Sequence, residues 1–269
     1  MTASPRPAVT GLVDSHCHLD RLDLSAYDGN FDAMMQAAAA AGVSQMLCIG
    51  VGLENVTPVL ALAEAWPQVY ATVGVHPLYP ESGGATVEEL VALAAHPKVV
   101  GLGETGLDYF KDGADVAWQH QSFIAHIEAA RQTGLPLVIH TRNAREDTLA
   151  LLREHGGGEV RGVLHCFTED LAMAEAAIEM GFLISISGIV TFRTAEPLRD
   201  VVRALPLEKL LIETDAPWLA PVPHRGKPNE PRFVAEVAAC VAELKGTSAQ
   251  AVAAATRENF FRLFDKAAA

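Results

Sequence analysis

His16 and His18 stand two residues apart at the end of the apolar run 11–15. On a strand, positions i and i+2 point to one face, so the two imidazoles can grip one cation together. A lone His-x-His is a common coincidence, but other apolar runs in this chain end the same way. They close on His76 after 70–75, Glu104 after 98–103, His140 after 135–139, His165 after 161–164, and Glu213 and Asp215 after 209–212. Five or more His and carboxylate groups exceed the needs of one tetrahedral ion. The set predicts two divalent ions, or three, sharing a bridging carboxylate, with hydrolysis by activated water as the chemistry. Mg, Mn or Zn would suit such ligands.

Residues so far apart in sequence need a scaffold that gathers them. Eight runs rich in Val, Ile and Leu, at 11–15, 45–51, 70–75, 98–103, 135–139, 161–164, 182–186 and 209–212, read as strands of a parallel sheet buried on both faces. Helical stretches lie between them at 31–41, 54–65, 86–95, 114–132, 145–154, 171–180 and 197–204. Two more, at 231–244 and 248–264, follow the last strand. Successive strand ends are about 28 residues apart, the length of one βα unit with short loops. The fold expected is α/β: a single (β/α)8 TIM-type barrel over 11–269, after a short flexible extension at 1–10. Its metal site would lie at the C-terminal rim of the strands, where distant side chains converge.

Composition narrows the function classes. Of 269 residues, 50% are hydrophobic and 20% charged, which excludes a disordered chain and leaves ample material for a core. Cys17, Cys48, Cys166 and Cys240 show no CxxC spacing, so neither a zinc knuckle nor a redox pair is indicated. No run approaches the length of a membrane span, and the start lacks the apolar segment of a secretory signal. A cytoplasmic location follows, with no membrane contact and no obligate protein partner expected. The net charge of −13 removes the basic footprint of non-specific duplex binding. Contact with nucleic acid would be local or carried by metal ions.

The order His16-x-His18, Glu104, His140, His165, Asp215 resembles the amidohydrolase superfamily, and within it the TatD-like deoxyribonucleases. The likeness runs through DSHCHLD (14–20), VGVHP (73–77), GLGETGLDYF (101–110), LPLVIHTRNA (135–144), LHCF (164–167), IETDAPWLAP (212–221) and RGKPNEP (225–231). It implies a first ion held by His16, His18 and Asp215, and a second held by His140 and His165, with Glu104 bridging. Glu104 stands where many amidohydrolases use a carbamylated lysine. The resemblance also points to His76 and Glu213 as catalytic residues. It implies DNA as the substrate, degraded from the 3′ end of single strands.

Several residues admit two readings. Asp215 suits a general base, because it can ligate a metal and accept the proton of water. Glu213 could bind a further ion, orient a ligand histidine or pair with a cation. Asp108 has a weaker case beside the metals, and Asp14 reads better as a buried hydrogen-bond partner. Arg225 and Lys227, flanking Gly226, are either a solvated loop pair or phosphate ligands, and the resemblance favours phosphate. With His76, Arg225 would neutralise the non-bridging oxygens. Arg142 is a weaker candidate of the same kind. Asn229 fits a helix N-cap, with Pro231 in the first turn. Tyr109, Phe110, Phe192 and Trp218 flank the rim, where they could stack on a base or simply cover the core. Gly101-x-Gly103-x-x-Gly106 matches a dinucleotide fingerprint, but Glu104 lies inside it and no helix start follows. The same two-metal core would also serve hydrolysis of a small amide, lactone or phosphotriester, or of an ester at an aminoacylated RNA end. A non-catalytic metal-binding scaffold is the third class, and the intact ligand set with Asp215 argues against it.

Overall fold

The computed structural model describes residues 9–80, 84–110 and 116–268. Residues 1–8 of the expected extension and the start of the helix expected from 114 lie outside them. The strands are β1 (Leu12–Cys17), β2 (Val43–Cys48), β3 (Val69–Val73), β4 (Val99–Asp108), β5 (Leu137–Arg142), β6 (Gly162–Leu164), β7 (Phe182–Ile186) and β8 (Leu210–Ile212). They form one eight-stranded sheet in chain order, with neighbours parallel. A parallel bridge from Cys17 to Ala216 closes β1 onto the end of β8. There the N–H of Asp215 donates to His16 O at 2.9 Å and that of His18 to Ala216 O at 2.8 Å. The expected (β/α)8 barrel is the fold found.

Among the described residues, seven α-helices connect the strands: α1 (Phe31–Ala40), α2 (Val56–Ala65), α3 (Val87–Ala94), α4 (Val116–Thr133), α5 (Arg145–His155), α6 (Leu171–Glu179) and α7 (Glu196–Ala204). After β8 come α8 (Val234–Lys245) and α9 (Ala249–Leu263). Local chemistry starts several of them. The Asn30, Asp170 and Ser248 side chains accept from the N–H groups of Ala33, Met173 and Ala251, and Thr86 with Glu89 forms a capping box.

Strand alternation divides the core into two bodies. Leu12, Met46, Val99, Leu137, Leu164 and Ile184 pack outward with the helices. Val13, Leu47, Val100, Val138, Val163, Leu183 and Leu211 fill the interior, together with Phe260 and Leu263 of α9 and Phe264 just after it. α9 therefore covers the end of the barrel opposite the polar rim. The inward parity then carries chemistry to that rim: Val138 leads to His140, Val163 to His165, and Leu211 to Glu213 and Asp215.

One strand differs from the sequence reading, and another bears out the reading of Asp14. β4 does not stop at Gly103 but pairs with β5 as far as Asp108 and Arg142. Gly106 makes this possible, with φ +130 and a position where a Cβ would lie 2.0 Å from His140 O. In β1 the register with β2 breaks between Asp14 and Cys17. Asp14 is the buried hydrogen-bond partner expected: its Oδ1 accepts the Thr214 N–H at 2.8 Å and its Oδ2 accepts the Thr214 hydroxyl at 2.5 Å, across the seam. Burial pushes its carboxyl up to about 8, against the pull of the Thr214 donors. Among the described residues, no helix is long and apolar enough to cross a membrane.

Candidate metal centre

Glu104 stands in the middle of the histidines. Its Oε2 lies 3.4 Å from His16 Nε2 and 3.9 Å from His18 Nε2. Its Oε1 lies 2.8 Å from His165 Nε2 and 3.2 Å from both His76 Nε2 and His140 Nδ1. Asp215 Oδ1 completes the first side, 3.5 Å from His16 Nε2 and 3.6 Å from His18 Nε2, and the two Nε2 atoms are 3.3 Å apart. Donors held about 2.1 Å from a tetrahedral ion sit about 3.4 Å from one another. His16, His18, Asp215 and Glu104 Oε2 therefore fit one divalent cation.

The second side is built by orientation. His140 Nε2 bonds Asp108 Oδ2 at 2.9 Å, which leaves Nδ1 turned to Glu104. His165 Nδ1 faces Glu213 Oε1 at 3.3 Å, leaving Nε2 for the cluster. The same oxygen accepts the Cys166 N–H at 2.7 Å, so Glu213 is anchored to the end of β6. Of its three possible roles, this geometry favours orienting His165. Glu213 Oε2 is buried without a hydrogen-bond partner, and His165 Nε2 makes no hydrogen bond in its close approach to Glu104, so a cation could satisfy both. His16, His165 and Glu213 also bring donor atoms within 4.8 Å of one another, where a third ion could be held.

His76 behaves differently from its neighbours. Its Nδ1 accepts the Leu78 N–H at 3.0 Å, so the neutral ring carries its proton on Nε2. His76 Nε2 lies 3.2 Å from Glu104 Oε1, and His76, Glu104 and His140 bring donor atoms within 4.8 Å of one another, but a proton held on Nε2 makes His76 a donor rather than a ligand. Behind it, His126 Nε2 accepts the Val75 N–H at 3.1 Å and Nδ1 bonds Ser122 O at 2.7 Å. His126 sits mid-helix in α4, where no spacing in the sequence marks it.

The family model described as TatD related DNase matches residues 13–265. The chain belongs to that family. It is 48% identical to the metal-dependent hydrolase YcfH of Escherichia coli over 94% of this chain and 95% of that protein. It is 40% identical to the metal-dependent hydrolase TatD of Mycobacterium tuberculosis, over 94% and 97% of the two chains. The crystal structure of YjjV, a TatD homologue from Escherichia coli, superposes with a TM-score of 0.86 at 34% identity, covering 94% and 98%. As a TatD-family protein, the chain is a metal-dependent hydrolase by class.

The electrostatics of this TatD-family cluster follow from burial and crowding. Burial pushes His16 down, with His165 adding to the effect, and it pushes His76 down as well. Burial opposes ionisation of Glu104, yet His165 and His76 outweigh it and hold the carboxyl well below the usual range. Asp215 is likewise held low against burial by His18 and His16. Against the same desolvation, Asp108 and Glu104 raise His140, and Glu104 with Glu213 raises His165.

Above the cluster opens a cavity of about 610 Å³, lined also by Tyr79, Arg142, Cys166, Thr168 and Trp218. Arg142 lies at its wall with the guanidinium 3.5 Å from the centre of the Phe110 ring. Arg225 and Lys227 are exposed and do not line this cavity. The Arg225 guanidinium is instead drawn over Phe192, 3.9 Å from the ring centre. The Tyr109 hydroxyl bonds Asp147 Oδ2 at 2.8 Å, a structural link between loop and helix. Asn229 does not cap α8, which is preceded by a 3-10 turn at Pro231–Phe233. Its buried amide donates to Thr214 O at 2.8 Å and Trp218 O at 2.5 Å, tying down the segment that carries Asp215. Spacing did not reveal this cross-loop role, nor the cavity position of Tyr79.

Proposed function

We propose that this TatD-family hydrolase cleaves phosphodiester bonds of DNA, removing nucleotides from 3′ ends of single strands. The observation that carries the reading is Glu104, with histidine donors gathered on each of its carboxylate oxygens. His16, His18 and Asp215 would hold one divalent ion and His140 and His165 a second, with Glu104 shared. When bound, the ions supply Lewis acidity, activating a water nucleophile and offsetting charge on the phosphoryl oxygens.

The chain's own groups divide the remaining work. Asp215, held ionised by its histidine neighbours and with its side chain 14% exposed, can accept the proton of the attacking water. His76 carries a single neutral N–H, beside Glu104 Oε1, that can turn to a non-bridging oxygen as charge develops there. Glu213 and Asp108 keep His165 and His140 in their working tautomers. Arg142 can pair bidentately with the next phosphate at the cavity wall, and beyond it Arg225 can do the same while Lys227 offers a point charge. A chain of net charge −13 does not attract duplex DNA over a distance, which suits work on an end.

The test is a labelled single-stranded oligonucleotide treated with metal-stripped protein, with Mg, Mn or Zn added back and Asp215→Asn alongside. Stepwise shortening from the 3′ end that needs metal and is lost in the variant supports the reading. Absence of cleavage by protein that binds its ions would remove it in favour of a small-molecule ester or amide hydrolase.

A further inference from the structure

The turn after Asp215 carries an indole to the mouth of the cavity. Trp218 is 47% exposed, lines the cavity, and meets His18 edge-on with ring centres 5.0 Å apart. Among the described residues that line the cavity, it is the large apolar side chain left exposed.

The backbone that carries the ring is held relative to the metal cluster. The Trp218 N–H donates to Asp215 O at 3.0 Å, and the Asn229 amide holds Trp218 O at 2.5 Å. Asp215 and Leu219, with φ of 58° and 57°, both occupy the left-handed region. Non-glycine residues persist there when the surroundings enforce it, a feature that clusters at ligand clamps. The other rim aromatics are otherwise engaged: Tyr79 with Arg21, Tyr109 with Asp147, Phe110 with Arg142, and Phe192 with Arg225.

We propose that Trp218 is a stacking platform for the base of the terminal nucleotide, placed when its phosphate reaches the metal centre. The proposal rests on the nuclease reading and names the contact that grips the substrate. A ring face accepts any base, as an end-trimming enzyme without sequence preference requires. Stacking is also little screened by salt, so it holds the strand where the protein's net charge opposes it.

The experiment titrates metal-loaded protein against a fluorescent single-stranded oligonucleotide whose last linkage is a slowly cleaved phosphorothioate, read by anisotropy. The terminal nucleotide is either normal or abasic. Trp218→Ala should weaken binding of the normal end by about tenfold to a hundredfold, and Trp218→Phe should restore most of it. The abasic end should bind wild type and Trp218→Ala equally, and thermal melting should show both variants folded. No loss in Trp218→Ala, or an equal loss with both ends, overturns the platform while leaving the nuclease reading in place. Wild-type protein that neither binds nor cleaves the oligonucleotide overturns both.

Discussion

Asp108 and His140 are joined from Oδ2 to Nε2 at 2.9 Å, and this bond decides which ring nitrogen meets Glu104. Partners of this kind typically account for about tenfold to a hundredfold in metal affinity. Asp108→Ala should therefore lose one ion per chain at limiting metal while keeping the other. Calorimetric titration of stripped protein would show it; two unchanged binding steps would contradict the assignment.

His76 makes the opposite prediction. Because Leu78 N–H occupies its Nδ1, its Nε2 donates a hydrogen bond and the ring is not needed to hold metal. His76→Ala should keep the wild-type ion content by elemental analysis, whereas His140→Ala should lose an ion. Removing one donor to a developing oxyanion costs about 10²–10³ in kcat, and that is the loss expected for His76→Ala. Loss of an ion in His76→Ala would show it to be a ligand.

Asn229 ties the Asp215 turn to the chain that leads into α8. Asn229→Ala removes both bonds and leaves the Thr214 and Trp218 carbonyls unpaired by this side chain. A destabilisation of about 2 kcal/mol in urea unfolding is expected. Metal affinity on the His16–His18–Asp215 side should fall more than on the other side, since Asp215 is the ligand released. An equal fall on both sides would mean that the turn does not position Asp215.

His126 sets a pH dependence of stability. Burial lowers it to about 4 from its ordinary 6.5, against the pull of Ser122 O, and the neutral ring accepts the Val75 N–H at Nε2. In the unfolded chain it takes up a proton near 6.5, so between 6.5 and 4 the unfolded state binds more protons than the folded one. The stabilisation is thus complete above 6.5, is lost as pH falls toward 4, and changes no further below that. The loss over the window amounts to about 3 kcal/mol. The difference in unfolding free energy between wild type and His126→Gln should narrow across this window; a constant difference would rule the account out.

The barrel was legible because its information is local. Each βα unit writes its own pattern, a short apolar run and then a helical stretch, and all eight strands and the helices fall close to where those patterns lie. The acid and imidazole groups were legible for the same reason, since they interrupt apolar runs at the ends of the strands. Where glycine broke the pattern, at Gly103 and Gly106, β4 looked finished, although close approach to His140 lets it continue to Asp108.

By itself, then, the sequence determined the fold class, the rim at which the chemistry would gather and the residue types that would meet there. Only the tertiary structure decided how they meet: that Asp14 seals the seam with Thr214, that His76 donates, and that Asn229 holds the Asp215 turn. It also set Trp218 at the cavity and kept Arg225 out of it. The physical reason is that periodicity records only which face a side chain takes. Which nitrogen or oxygen it presents is settled by hydrogen bonds to residues as distant as 200 positions along the chain, as between Asp14 and Thr214.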